Sequence, residues 1–308
     1  MREKFCVCPG NSFLCPRRTK ITLRPARNFF WRAASQKRLN EFLDAKPAIY
    51  DQPMAKKINI EGNIEFTNVD FTYSHTGIEA LKDFSLTIIK GEKVAIIGRT
   101  GSGKSTVAQL LLRMYDTTNG TIELEGTDIR ELDLKSLREQ ISYVPQDVFL
   151  FSDSVANNIS FGVKDGNMLQ VEKAAIQASV HKDILGFGEK YETMIGERGV
   201  TLSGGQKQRI SIARALIKDH GLVIFDDCLS AVDTKTENEI IGNLYEYLEN
   251  RTAIIITHRI FSLFHFDKIV VIEDGKIVEK GTHEELINLN GFYTELYNRQ
   301  QQQDSQAR

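Results

Sequence analysis

The sequence predicts an α/β fold in which a parallel or mixed sheet is buried on both faces by helices and joined to a smaller antiparallel β subdomain. Apolar runs of strand length recur at Val94–Ile97, Ile141–Val144, Leu222–Phe225 and Ala253–Ile256, and a strand lacking a polar face is one covered on both sides. Helical segments follow several of them, as in Val107, Leu110, Leu111 and Met114 at i, i+3, i+4 and i+7. Ile64/Phe66, Val69/Phe71/Tyr73 and Phe84/Leu86/Ile88 instead alternate in the manner of half-buried strands. Gly91, Asn119-Gly120 and Glu125-Gly126 punctuate that region, which therefore reads as antiparallel sheet.

Taken in chain order, residues 1–30 show no periodicity and are broken at Pro9-Gly10, Pro16 and Pro25, so they read as a disordered or weakly ordered arm. A Pro- and Gly-free stretch from Ala33 to Ala45, with Leu39, Phe42 and Leu43 at helical spacing, predicts a helix that stops before Pro47. A polar linker, Asp51 to Lys57, leads into the main domain over residues 58–299. Asp274-Gly275 between Ile269–Ile272 and Ile277-Val278 predicts a hairpin. Thr282-x-x-Glu285 opens one terminal helix containing Leu286, Leu289, Phe292 and Leu296. The Gln-rich residues 300–308 read as a frayed, disordered tail.

Charge separates the arm from the rest. The formal net charge of −2 argues against bulk electrostatic binding of nucleic acid. Residues 1–40 hold ten Lys and Arg against the single acid Glu3, a net of +9, which leaves −11 for the other 268 residues. No run approaches the roughly 20 apolar residues of a membrane helix. Of four cysteines, Cys6, Cys8 and Cys15 lie in the arm and Cys228 in an apolar stretch, a sparse usage that fits a reducing compartment. Cys6, Cys8 and Cys15 lack a nearby fourth metal ligand, the first histidine being His75, and unstructured thiols are the simpler reading.

Gly98-Arg99-Thr100-Gly101-Ser102-Gly103-Lys104-Ser105, followed by Thr106, has the form G-x-x-x-x-G-K-[ST] between a buried strand and an amphipathic helix. Glycines let backbone N–H groups curl around phosphate oxygens, and the helix N-terminus adds partial positive charge. Lys104 would reach the β- and γ-phosphates and the Ser105 hydroxyl would ligate Mg²⁺. Asp226 and Asp227 close the apolar run Leu222–Phe225, at the strand end where ligands gather in parallel α/β sheets. Asp226 suits a hydrated Mg²⁺ and Asp227 an attacking water; a helix N-cap is the alternative role for either.

Leu202-Ser203-Gly204-Gly205-Gln206 resembles the signature motif of ABC ATPases. By itself Ser203-x-x-Gln206 is a capping box that opens a helix with an anion-binding N-terminus. The resemblance implies that this helix end binds the γ-phosphate of ATP held on a facing subunit. It further implies that Tyr73 stacks on adenine, the alternative being a core tyrosine, and that Gln146 senses Mg²⁺. It also implies that Asp233, in Ser230-Ala231-Val232-Asp233, contacts the opposite subunit, and that His258 is a switch contact to the γ-phosphate. Phe149 to Gly162 and Gly196-Glu197-Arg198-Gly199 resemble segments facing a membrane domain and the other subunit. Residues 31–57 resemble the elbow and linker that join an exporter's last membrane helix to its ATPase domain.

The resemblance covers Trp31 to Tyr297 and implies an inserted helical subdomain over about residues 147–212. It implies an ATP-binding and ATP-hydrolysing subunit that powers export when two such domains close on ATP and Mg²⁺. Its expected place is the cytoplasmic face of a membrane, held there by a membrane-domain partner. Where most members of the family carry Glu, this chain has Asp227, one methylene shorter, as in the weaker half of heterodimeric exporters. A heterodimeric second nucleotide-binding domain is therefore the expected partner. A clamp that binds ATP with little hydrolysis is the main alternative, and a soluble ABC ATPase outside transport is a second; the elbow-like segment argues against the latter. The missing membrane domain suggests a truncated product, with a transit peptide as another reading of the basic arm.

Overall fold

The computed structural model describes residues 35–44, 47–163, 166–196, 201–228, 234–260 and 265–306. The basic arm, its three cysteines, Trp31–Ala34, Glu197–Gly199 and Ser230–Asp233 lie outside the described residues. The chain divides into two units, Met1–Ala48 and Ile49–Arg308. Within the first, helix α1 spans residues 35–43 with its residues exposed, Lys37 and Glu41 pairing one turn apart at 3.8 Å.

The described residues of the second unit form two sheets. Strands β1 (Ile64–Thr72), β2 (Glu79–Ile88), β4 (Asn119–Leu124) and β5 (Thr127–Asp128) form a four-stranded sheet in the order β2-β1-β4-β5, every pair antiparallel. The six-stranded sheet runs β10-β9-β3-β8-β7-β6, where β3 is Lys93–Gly98, β6 Ile141–Val144, β7 Leu222–Asp226, β8 Thr252–Thr257, β9 Lys268–Glu273 and β10 Lys276–Gly281. The five strands from β9 to β6 are parallel, and β10 closes one edge as an antiparallel hairpin on β9. Asp274 and Gly275, both at positive φ (47° and 82°), make the hairpin turn that Asp-Gly predicts.

The apolar runs have their cause in the two covered faces. On β7, Leu222 and Ile224 point into one core while Val223 and Phe225 point into the other; on β8, Ile254 and Ile256 alternate with Ala253 and Ile255 in the same way. One core lies between the sheet, helix α2 (Lys104–Leu111) and the antiparallel strands. The other lies beneath α4 (Val155–Ser160), α5 (Met168–Gln177), α7 (Gly204–Leu216) and α8 (Thr234–Tyr247). A third cluster joins Ala95, Ile97, Ile269 and Val271 to α9 (His283–Leu289) and α10 (Phe292–Gln306). The remaining helices are α3 (Leu134–Glu139) and α6 (His181–Leu185).

Three local expectations differ. The single terminal helix is two, because Asn290 takes the left-handed conformation (φ 51°) and Asn-Gly ends α9 before α10 begins. The expected frayed tail is helical through Gln306, and Gln300 is held by two hydrogen bonds described below. Asn119-Gly120 starts β4 instead of turning the chain; Gly120, at φ 75°, passes the bulge in β1, where a Cβ would strike the carbonyls of Thr67 and Asn68.

Phe84, fully buried, meets Phe66 edge to face at 5.3 Å in the core shared by the antiparallel strands and α2. Phe84→Ala should lower stability by about 3–5 kcal/mol, read as a fall in the urea midpoint; a loss below about 1 kcal/mol would mean that this core collapses around the cavity.

Candidate functional site

The carboxyl ends of β3, β7 and β8 carry most of the predicted residues. After β3 the chain turns through residues 98–103 and enters α2 at Lys104. Glycine is required at both ends of that loop. A Cβ on Gly98 would strike the Ile272 carbonyl, and one on Gly103, at φ 100°, the Ala80 carbonyl. Gly103 is the N-cap residue of α2 and supplies no side-chain cap, so the helix's first N–H groups remain directed at the loop. Ser102 is 5% exposed, and its Oγ has no partner.

Lys104 Nζ donates to the carbonyls of Gly98 (2.9 Å) and Arg99 (2.7 Å). Burial holds its pKa below the usual lysine value, opposed by the charges of Asp227 and Asp226. Next to it, Ser105 Oγ donates to Asp226 Oδ1 at 2.9 Å, and the Tyr143 hydroxyl of β6 donates to Asp226 Oδ2 at 3.4 Å. Asp226 is 2% exposed. Burial pushes its carboxyl above the ordinary range, the Ser105 and Tyr143 hydrogen bonds pulling the other way. Tyr143 is itself pushed up by burial and by the neighbouring carboxylate.

Asp227 leaves β7 in the left-handed conformation (φ 44°), its backbone N–H donating to the Ile256 carbonyl of β8 at 2.8 Å. That turn aims its side chain at the end of β8, where Oδ1 lies 2.9 Å from His258 Nδ1. Across the loop, the Tyr73 hydroxyl donates to Gln109 Oε1 (2.8 Å) and shares a hydrogen bond with Thr106 Oγ1 (3.0 Å), both on α2. Its ring meets Phe71, Tyr115 and His75 edge-on at 4.8–5.6 Å. Tyr73 thus packs partly against the core beneath α2 and partly lines the site.

These groups enclose one open cleft of about 320 Å³, lined by Tyr73, Thr100, Gly101, Gly103–Thr106, Gln146, Asp226, Asp227 and His258. Leu202–Gln206 contribute no lining residue to it. They form the N-terminus of α7, where Ser203 Oγ accepts from the Gln206 N–H (3.2 Å) and Gln206 Oε1 from the Ser203 N–H (3.0 Å). The sequence reading missed Tyr143 and Asp183: Asp183 accepts from Gln206 Nε2 (3.1 Å) and pairs with Arg209 at 2.8 Å, holding the start of α7. Only strand pairing and tertiary packing bring these two into place.

Residues 81–230 match the ABC transporter family model. This is an ABC transporter ATP-binding domain. It is 44% identical over 265 residues to YgaD of Bacillus subtilis, named for multidrug export as an ATP-binding/permease protein, covering 86% of this chain and 46% of that one. To human ATP-binding cassette sub-family B member 6 it is 42% identical over 265 residues, covering 86% of this chain and 31% of the relative. The structure of a bacterial Atm1-family ABC exporter with ATP bound superposes with a TM-score of 0.82 at 36% identity, covering 91% of this chain and 49% of that one. The chain therefore spans half or less of the length of these relatives. No helix among the described residues is long and apolar enough to cross a membrane.

The donor set of the ATP-binding domain fits Mg²⁺ as well as a nucleotide. A hydroxyl and a buried carboxylate stand side by side, and Mg²⁺ takes few protein oxygens beside phosphates and water. Without a cation, a buried carboxylate with a raised pKa binds protons more readily folded than unfolded. The nucleotide-free domain therefore loses stability as pH rises from the ordinary carboxylate range through the folded value, and stays penalised at neutrality. Asp226→Asn should raise the nucleotide-free melting midpoint at pH 7 by roughly 2–4 °C while weakening Mg²⁺-dependent nucleotide binding. An unchanged or lower midpoint would show that the two hydroxyls already compensate the charge.

Proposed function

We propose that this domain binds and hydrolyses ATP to drive export, acting with a second nucleotide-binding domain and a membrane domain at the cytoplasmic face of a membrane. The observation that carries the reading is that Lys104, the Ser105–Asp226 pair and the Asp227–His258 pair line one cleft. In this reading the loop from Gly98 to Thr106 holds the phosphates, with Arg99, Thr100, Gly101, Ser102 and Gly103 presenting backbone to them. Tyr73 backs the base. Ser105, Gln146 and Asp226 would hold Mg²⁺, which would supply charge neutralisation to the phosphates. Asp227 orients a water for in-line attack on the γ-phosphate, and His258 fixes the carboxylate and faces the transferring group. Closure of two such domains brings Leu202–Gln206 of each to the nucleotide on the other, with Asp233 at the shared face.

The shorter side chain of Asp227 favours an assembly with unequal sites. Its carboxylate already meets His258, and a one-methylene deficit moves the water by enough to cost on the order of a hundredfold in rate. This chain's own cleft is then the slower site, and its signature helix completes the partner's faster one.

Lys104→Ala should weaken Mg-ATP binding by at least tenfold in a nucleotide titration, with the melting midpoint of the free domain little changed. Unaltered affinity sinks the assignment of the cleft. Asp227→Glu should raise steady-state ATPase activity at saturating Mg-ATP. If the unmodified domain already turns over at several per second and the Glu variant is no faster, Asp227 is a fully working carboxylate and the sites are equal.

A further inference from the structure

We propose that Gln300, on the terminal helix α10, is a positioning residue that anchors the loop carrying His258. The Ile260 N–H donates to Gln300 Oε1 at 2.8 Å, and Gln300 Nε2 donates to the Ile260 carbonyl at 2.8 Å. One side-chain amide thus satisfies both backbone groups of a residue forty positions away, as a neighbouring strand would. The bond falls just beyond the end of β8, where sheet pairing no longer supports the chain.

Ile260 is held from its side chain too. It is 7% exposed and packs in the third cluster with Ala95, Ile97, Ile269, Leu286 and Tyr293, the last from α10 itself. His258 stands two residues upstream and lines the cleft, so its Cα lies within about 7 Å of the anchored one. The Arg259 N–H donating to Thr257 Oγ1 at 3.0 Å tightens the intervening turn. The first residue of the same helix reaches the loop after β3, where the Arg99 guanidinium lies 5.2 Å from the centre of the Phe292 ring. Helix α10 therefore touches both the phosphate loop and the segment after the switch histidine, and Gln300 is the contact that fixes the latter.

The inference rests on the reading of His258 as a γ-phosphate contact, and the test separates the two. In the full chain, Gln300→Met keeps side-chain length but removes both hydrogen bonds, and Gln300→Glu keeps the acceptor for the Ile260 N–H while losing the donor. Amide hydrogen exchange at Ile260 and affinities for Mg-ATP and Mg-ADP are measured for both and for His258→Ala. Gln300→Met should speed exchange at Ile260 about tenfold or more while core strands keep their protection. It should lower affinity for ATP several-fold with that for ADP unchanged, and Gln300→Glu should fall between. Unaltered exchange at Ile260 overturns the proposal. So does intact preference for ATP over ADP in Gln300→Met when His258→Ala loses that preference. If His258→Ala keeps the preference while Gln300→Met loosens Ile260, the γ-phosphate role of His258 fails and the anchoring stands.

Discussion

Everything in the cleft is arranged around a carboxylate withdrawn from water. Asp226 ends a strand buried along its whole length, and among the described residues its relief comes from two hydroxyl donors on neighbouring elements and the charge of Lys104. Charge buried so deeply is costly unless paired. The nearby ammonium of Lys104 is turned to loop carbonyls, not to the carboxylate. The site is thus left short of positive charge where a divalent cation and its polyphosphate fit, and the order of the central sheet secures that geometry. Placing β7 between β6 and β8 brings Tyr143 to one side of Asp226 and the Asp227–His258 pair to the other. No hairpin joins these strands, so their alignment depends on the two cores that cover the faces.

The parts of this arrangement that a single stretch of chain specifies were legible in the sequence. The glycine spacing of the loop from Gly98 to Ser105 lies in one short stretch and reads directly, although the carbonyls that require Gly98 and Gly103 belong to the distant Ile272 and Ala80. The alternation in β1 and β2 and the unbroken apolar character of β7 and β8 reported how many faces were covered. The capping boxes at Ser203 and Thr282 are local, and each has the expected hydrogen bonds.

What escaped was non-local. Tyr143 is one more residue of an apolar strand until the register of β6 on β7 sets its hydroxyl beside Asp226. Asp183 sits in a short helix of unremarkable composition, and only the packing of α6 near the start of α7 gives it Gln206 and Arg209. Gln300 opens a polar, low-complexity run whose composition argues for fraying. Its order comes from a backbone segment forty residues earlier that lacks a strand partner. At Asn290-Gly291 a local stop signal lies between apolar residues whose spacing continues across it.

The start of α7 has its own logic. Its capping box consumes the Gln206 carbonyl oxygen on the Ser203 N–H, and the amide nitrogen is taken by Asp183, so the orientation of that side chain is fixed from both ends. Ser203 Oγ acts in the box only as an acceptor, which leaves its O–H proton to donate elsewhere. The N–H groups of Gly204 and Gly205 open the helix with no Cβ beside them. An end built in this way presents donors to an anion, while the nearby carboxylate, Asp183 of α6, is taken up by Arg209 and Gln206 behind the first turn. Because this end lines no part of the chain's own cleft, the donors serve a nucleotide only if another surface brings one to them. The architecture therefore separates the cleft of the Gly98–Thr106 loop and the β7 carboxylates from a donor-rich helix end that stands apart from it.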